Sequence, residues 1–347
     1  MDMKAKRKGP VNTNRHQLQD VLPLDTPFII AIDPCNLCNF KCRFCAMQTS
    51  TEPLNFKKQL MDLPLFKKII DDIAEFPNKL KILDIANYGE PLLHPDFPEM
   101  VRYAKEKDVS ELVSVVTNGS KLNPELNRAL IDAGLDRIRI SVEAIDEEGY
   151  LEIAGVKIDF EAFVSNIKDL HEQSVRAGGT CEIYIKTVDA AVETPEKQER
   201  FYQLFEGVCD RIYIDHVTPI WAGWEEINNR FEIEKTGSHN QQWQDVKVCP
   251  YPFYSLCVTP DGIVNVCCAD WKRELAMGDL TKQSIVEVWN SEALRKFWMN
   301  MLSGGKDRCP VCKNCQYPMY DCNDNIDAYA GQLLQRFRAN ERGSGPK

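Results

Sequence analysis

The sequence has no long apolar run. Nowhere does it sustain the roughly 18 apolar residues that cross a bilayer. Its basic start is followed by polar VNTNRHQLQD, not by the apolar core of a secretory signal. Membrane insertion and export are therefore not expected, and the chain reads as cytoplasmic. A basic excess is also missing. The net charge is -10, which argues against a nucleic-acid partner, because a phosphate backbone needs a positive footprint. The one basic run, Lys4, Lys6, Arg7 and Lys8, stands at a terminus expected to fray as a solvated tail. There is no low-complexity tract, and no internal repeat beyond the strand–helix alternation described below.

What remains is ordinary in bulk and unusual in one residue type. The chain has 347 residues, 44% apolar and 27% charged, enough for one large domain or two. It also has 14 cysteines, concentrated at residues 35–45 and 249–315, with Cys322 close behind. A reducing compartment keeps thiols from forming a disulfide framework, so clustered cysteines point to metal.

Between residues 28 and 216, short Ile- and Val-rich runs alternate with amphipathic ones. Strands are expected at 28–32, 80–86, 111–117, 137–142, 181–188 and 211–215, and helices at 62–76, 97–107, 123–133, 160–176 and 195–205. Asn123 before Pro124 reads as an N-cap, and Gly134 as a helix stop. Such alternation predicts parallel strands joined by right-handed crossovers. Six units are too few for an eightfold barrel. An α/β partial (β/α)6 barrel fits, although periodicity does not separate it from a doubly wound sheet. Residues 217–248 are polar with scattered aromatics and read as a bridging segment. Trp221 and Trp224 there either wall a cavity or pack between domains. Beyond it, YSLCVTPDGIVNVCC suggests a hairpin turning at Pro260-Asp261-Gly262. A helix is expected near 284–301, and RANERGSGPK at the end reads as disordered.

The first cysteine cluster is Cys35-x2-Cys38-x3-Cys42-x2-Cys45. Structural zinc sites usually pair two C-x2-C knuckles a dozen or more residues apart. The three-residue spacer here is tight for a four-thiol cage. Cys38, Cys42 and Cys45 alone can instead grip three corners of a cubane, leaving one iron open, as catalytic metal sites do. The loop follows the first expected strand, at the end where parallel strands carry chemistry.

At CNFKCRFC the sequence resembles the radical SAM superfamily, with Phe44 in the aromatic slot before the last cysteine. The resemblance implies a [4Fe-4S] cluster on Cys38, Cys42 and Cys45, with Cys35 a bystander. The open iron would chelate S-adenosyl-L-methionine, and reductive cleavage would yield a 5'-deoxyadenosyl radical that abstracts a substrate hydrogen atom. Three further stretches fall in register. NYGEP resembles the GGEP motif that binds the methionine amino group, through Gly89 and Glu90, although Tyr88 replaces a common glycine. TNG supplies Thr117 and Asn118. ISVEA resembles ISLDG, and its Ser141 and Glu143 would reach the methionine carboxylate and ribose.

The second cluster starts with Cys249 and Cys267, spaced C-x12-G-x4-C, and ends with Cys309, Cys312, Cys315 and Cys322. A zinc ribbon needs two close pairs, and the first half lacks one. The region resembles the SPASM/twitch extension of radical SAM enzymes, which implies one auxiliary [4Fe-4S] cluster on Cys249, Cys267, Cys312 and Cys315. Cys309 is an alternative for one of the last two. A second auxiliary cluster would draw on Cys257, Cys268, Cys309 and Cys322. If unligated, Cys257 or Cys268 would be a hydrogen-atom donor or a buried small hydrophobe.

The remaining residues divide by position. Cys181 and Cys209 read as packing, and His94 as a turn residue. His216, at a strand end, is the candidate base for oxidising an alcohol carbon. Arg137, Arg139, Glu182, Tyr184, Lys186, Tyr213 and Asp215 alternate along strands, and their inward members would line a substrate cavity. The expected organisation is an N-terminal extension (1–24), a radical SAM core (25–216), the bridging segment (217–248), a SPASM/twitch domain (249–325), and a C-terminal helix and tail (326–347). The expected function is oxidation or epimerisation of a small polar metabolite such as a sugar, cyclitol or nucleotide sugar. Electrons would come from a flavodoxin or ferredoxin. The alternatives are a peptide-modifying enzyme of ribosomal-peptide maturation and, more remotely, a zinc-stabilised binding module.

Overall fold

The computed structural model describes residues 5–9, 15–238, 240–321 and 323–343. Six strands run parallel: β1 (Ile29–Ile32), β2 (Ile82–Asp84), β3 (Val113–Thr117), β4 (Arg137–Ser141), β5 (Glu182–Val188) and β6 (Arg211–Asp215). Each pairs with the next in sequence, so their spatial order never reverses. A doubly wound sheet would reverse part-way. The strands therefore form the partial barrel, with the sheet left open.

The strand pattern explains the layering. In β4, Ile138 and Ile140 are buried, while Arg137, Arg139 and Ser141 between them stay partly accessible. Successive side chains point to opposite faces. The apolar set meets helices such as Phe160–Arg176, which buries Phe163, Val164, Ile167 and Leu170. The polar set faces the concave side. Helix starts are specified locally. The Asn123 side chain accepts from the Leu126 amide at 2.9 Å, with Pro124 in the first turn. Gly134, at φ +82°, ends that helix as expected.

Three further strands extend the same sheet: β7 (Ser255–Val258), β8 (Ile263–Asn265) and β9 (Ala276–Asp279). β7 lies parallel to β1, with Ala31 opposite Cys257. β8 and β9 follow antiparallel. The expected hairpin is present, and Gly262 takes φ +82° at its turn. The Cys-rich region thus continues the barrel sheet.

Three expectations are corrected. Lys6 and Arg7 do not form a solvated tail. The Lys6 amide donates to Asp210 O at 3.0 Å, and its carbonyl accepts from Ile212 at 3.1 Å. Arg7 bonds both Glu206 oxygens at 2.9 Å and lies 4.2 Å over the Tyr202 ring. The segment covers the free edge of β6, which an open sheet must protect; Lys4 lies outside the described residues. The helix expected at 284–301 is two helices, Ile285–Trp289 and Glu292–Gly304. Ser291 interrupts it by capping the Leu294 amide at 3.2 Å. Finally, a helix runs from Ala330 to Gly343, well into the stretch read as disordered. Buried Leu333 and Phe337 hold it, and Arg336 donates to Leu22 O at 2.7 Å. Residues 344–347 lie outside the described set.

Asn123→Ala should lower unfolding stability by about 1 kcal/mol. Urea denaturation checks this, with a lower midpoint expected at an unchanged slope.

Candidate cofactor and cluster sites

The loop after β1 carries the first four cysteines, and they are not equivalent. Cys35 is fully buried, and its sulfur turns back into its own loop, 3.3 Å from the Leu37 amide and 3.4 Å from the Leu37 carbonyl. Cys38 and Cys45 stay partly accessible, and Cys42 is buried beside them. Charge on Cys38 or Cys45 would be felt at Cys42, whereas Cys35 faces Cys38 alone among the other three. Burial pushes the Cys38 thiol up to about 11 and Cys45 to about 12. Lys186 is the cation that faces Cys42, and a metal bound here would further favour the thiolate forms that ligate it.

The ends of the next strands pack directly under this loop. Gly89 sits so close that a Cβ there would meet the Cys35 carbonyl oxygen at 1.9 Å. The Glu90 amide donates to Leu37 O at 2.8 Å. The Glu90 carboxylate, almost fully buried, accepts from Thr117 Oγ1 at 2.6 Å, the Asn118 amide at 2.7 Å and the Leu92 amide at 3.0 Å. Burial raises it to about 7 despite those donors. The Asn118 side chain reaches Asn39 Oδ1 at 3.0 Å and Cys38 Sγ at 3.9 Å. Ser141 ends β4 partly accessible. Glu143 is buried, with its carboxyl raised by burial and offset by Lys186, and it looks onto Cys38, Cys42 and Cys45. Phe44 projects to the other side. Its ring lies 6.3 Å from Phe231, and its carbonyl accepts from Trp221 Nε1 at 3.1 Å. The bridging segment therefore clasps the cysteine loop, and Arg230 adds bonds to the Arg43 and Thr49 carbonyls at 3.3 and 3.2 Å.

Four of the later cysteines converge. Cys249, Cys267, Cys312 and Cys315 line one cavity, together with Val266, Ala269, Val311 and Tyr317. Cys249 and Cys267 reach it because the β7–β8 hairpin folds them together. Cys309 does not line it but hydrogen-bonds with Cys312. Cys322 lies outside the described residues. Cys268 does not line the cavity and sits beside Cys257, Cys267 and Tyr317.

Tyr88, which stands in a glycine slot, joins the two regions. Its ring is 6.2 Å from Trp221, and its hydroxyl donates to Asp270 O at 2.9 Å. It is buried against Cys257, Cys267 and Cys268. Sequence reasoning noted the departure but not the role; a large aromatic replacing glycine was the available signal. Asp84 was missed as well. It projects beside Ser114, whose hydroxyl donates to it at 2.6 Å, and it faces Arg139 and Cys268. Arg139 in turn faces Tyr213 and Asp215, and its Nε has no hydrogen-bond partner among the described residues. Lys186 Nζ lies 3.9 Å from Asp215. Arg137 and Glu182 pair with each other at 2.5 Å, lower on their strands. The concave face thus presents carboxylates, a guanidinium and an amine from successive strands.

His216 and His94 are both engaged. His94 bonds Met61 O at 2.8 Å and the Asp96 amide at 3.1 Å, the turn role expected. His216 holds Asp189 at 2.8 Å through Nδ1 and Asn240 at 2.9 Å through Nε2. Burial lowers its pKa, but the Asn240 and Asp189 contacts outweigh this and raise it above 6.5. Cys181 and Cys209 are buried packing residues.

Comparisons with known proteins agree with this geometry. A family model described as the radical SAM superfamily matches residues 32–189. A second, described as an iron-sulfur cluster-binding domain, matches residues 249–316. The Fe-coproporphyrin III synthase of Methanosarcina barkeri is 29% identical over 202 residues, covering 57% of this chain and 46% of that protein. The chain spans about half or less of the length of the curated relatives it matches. The crystal structure of BtrN with AdoMet and 2-DOIA is similar with a TM-score of 0.55 at 18% identity, covering 86% of this chain and 95% of that one. Streptococcus suis SuiB bound to precursor peptide SuiA is similar with a TM-score of 0.61 at 13% identity, covering 89% and 74%. At such identities the likeness is one of fold. No helix among the described residues is long and apolar enough to cross a membrane.

Gly89→Ala should lower stability by about 1–3 kcal/mol, the range for overpacking, and an unchanged thermal midpoint would refute the close packing. The His216 contacts give a second expectation. A raised folded-state pKa means their stabilisation is complete below pH 6.5 and is lost as pH rises through the folded value. Amide exchange at 236–242, corrected for intrinsic rate, should therefore increase on going to alkaline pH, and His216→Gln should flatten that profile.

Proposed function

The chain belongs to the radical SAM superfamily and carries an iron-sulfur cluster-binding domain, and from that premise we propose that it oxidises or epimerises a small polar metabolite. The residues present fit the implied groups. Cys38, Cys42 and Cys45 lie together with no side-chain cation supplied for all three, and Cys35 is turned away. Cys249, Cys267, Cys312 and Cys315 line one cavity. When bound, a reduced [4Fe-4S] cluster and S-adenosylmethionine supply a 5'-deoxyadenosyl radical that removes a hydrogen atom from a substrate carbon.

The chain's own residues do the rest. Cys38, Cys42 and Cys45 hold the first cluster. Gly89 lets the loop seat closely, and Glu90 with Thr117 and Asn118 fixes the groove where the methionine end binds. Ser141 and Glu143 meet its carboxylate and ribose, and Phe44 shields one side. Cys249, Cys267, Cys312 and Cys315 hold one auxiliary cluster. Cys309 is the substitute ligand. In this reading Cys257 and Cys268 are free thiols, and Cys322 is not required. His216, clamped between Asp189 and Asn240, orients the mouth of the barrel and acts as base only when Asn240 releases it. An electron donor of the flavodoxin or ferredoxin class, in the cytoplasm, completes the system.

The observation that carries the substrate class is the concave face. Asp84, Arg139, Lys186, Tyr213 and Asp215 stand on four strands and combine two carboxylates, two cations and a phenol. Such a surface rewards hydroxyl and amino groups and leaves apolar side chains unpaired with it.

Anaerobic reconstitution followed by cofactor-cleavage assays tests the proposal. Cys35→Ala should retain reductive cleavage of S-adenosylmethionine, whereas Cys38→Ala, Cys42→Ala and Cys45→Ala should each abolish it. Iron should approach about eight per chain, two cubanes' worth. A screen of sugars, cyclitols and nucleotide sugars should yield product. Turnover of a peptide with none of these small molecules would sink the substrate class.

A further inference from the structure

Lys306 is the one cation among the residues that line the auxiliary cavity. It is 6% exposed, an uncommon place for an ammonium group. Local structure puts it there. The helix Glu292–Gly304 ends at Gly305, whose φ of +65° turns the chain. A Cβ at Gly305 would meet the Lys247 carbonyl oxygen at 2.6 Å, so the close passage requires a glycine. The Lys306 amide then donates to that same carbonyl at 2.8 Å. Its Nζ donates to Cys315 O at 2.7 Å.

A lysine head carries three donors, and the Cys315 carbonyl is its one hydrogen-bond acceptor among the described residues. It has no ion pair among them. The one carboxylate that lines the cavity, Asp270, is committed to the Glu274 and Leu275 amides at 3.1 and 2.8 Å. Burying a cation without an anion is costly. The rest of the lining is apolar side chains, Tyr317 and four thiols, Cys249, Cys267, Cys312 and Cys315. As thiolates, those four would supply the missing negative charge.

We propose that Lys306 is the counter-charge of the auxiliary cluster and sets it to accept an electron, an inference that rests on the cluster assignment and the radical reading above. A [4Fe-4S] group held by four thiolates is net negative, and reduction adds one more negative charge. A fixed cation beside it stabilises the reduced state more than the oxidised one, because the attraction grows with the charge and is little screened away from water. Lys306 thereby raises the potential of the cluster. In that reading the carbon radical left on a substrate gives one electron to the oxidised cluster and its hydroxyl proton to solvent, leaving a carbonyl. The lysine thus favours net oxidation over epimerisation. It acts through the cluster and touches no substrate, so it is a positioning residue.

The test reads a potential, not turnover. The full chain carrying Cys38→Ala, Cys42→Ala and Cys45→Ala is reconstituted anaerobically, so that the auxiliary cluster alone remains, at about four irons per chain. Its reduction is followed by electron paramagnetic resonance during a redox titration. In that parent, Lys306→Met should lower the midpoint. The reduced-to-oxidised ratio at the parent midpoint should fall about tenfold, a shift of about 59 mV for a one-electron couple. Lys306→Gln keeps a donor for the Cys315 carbonyl without the charge and should fall with it, whereas Lys306→Arg should stay near the parent value. An unchanged midpoint in Lys306→Met, or a parent-like midpoint in Lys306→Gln, would overturn the counter-charge. So would loss of iron from all three variants, which would make the lysine a tie of the Cys315 turn. Loss from the two neutral variants with retention in Lys306→Arg would support it, since charge is what separates them. No iron in the parent itself would overturn the auxiliary-cluster reading instead, a result distinguishable from the others.

Discussion

One buried carboxylate holds the active end of the barrel together. Glu90 follows β2, accepts two bonds from the Thr117–Asn118 turn after β3, and through its own amide grips the loop after β1. Three loops far apart in sequence are thereby fixed to one residue, two through its carboxylate and one through its amide. Isolating such a charge from water is costly, and burial alone drives the group towards its neutral form. The three donors aimed at it offset that cost. The arrangement is rigid for the same reason, since any displacement of one loop leaves a buried acceptor without its donor.

Around that anchor, the rest of the site is a matter of close approach. Gly89 has no Cβ, so the chain passes directly under the Cys35 and Leu37 carbonyls. Tyr88 then fills the space on the other side and ties it to the turn containing Cys267 and Asp270. The bridging segment, which has little regular structure, earns its place through Trp221 and Arg230, whose bonds end on backbone carbonyls of the cysteine loop. The two cysteine regions are thus joined by a sheet, an aromatic pair and a clasp.

Much of this was legible from the sequence. Ile- and Val-rich runs gave the six parallel strands, and the resemblance at CNFKCRFC set Cys35 apart from its neighbours. Local signals such as Asn123-Pro124 and Gly262 carry their own mechanism and appeared where expected. What was hidden depends on contacts between distant segments. The pairing of Lys6 with β6 depends on an unpaired sheet edge that no local pattern reveals. Ser291 looked like a helix residue because its neighbours were helical, yet its hydroxyl caps a new helix. The stretch read as disordered starts just after Phe337, whose burial with Leu333 docks the helix that runs on into it. Asp84 gained its significance from Cys268 and Tyr88 from Asp270, each more than 180 residues further along the chain.

The pairing of β7 with β1 also bears on assembly. Strand β1 has an edge whose partner, β7, is made roughly 220 residues later. Until then the edge is unsatisfied and the sheet unfinished. The same late segment brings Cys249 and Cys267, so extension of the sheet past β1 and gathering of the second thiol set depend on one stretch of chain. The β1 edge that the parallel strands leave open is therefore covered only once the cysteine-rich half is present.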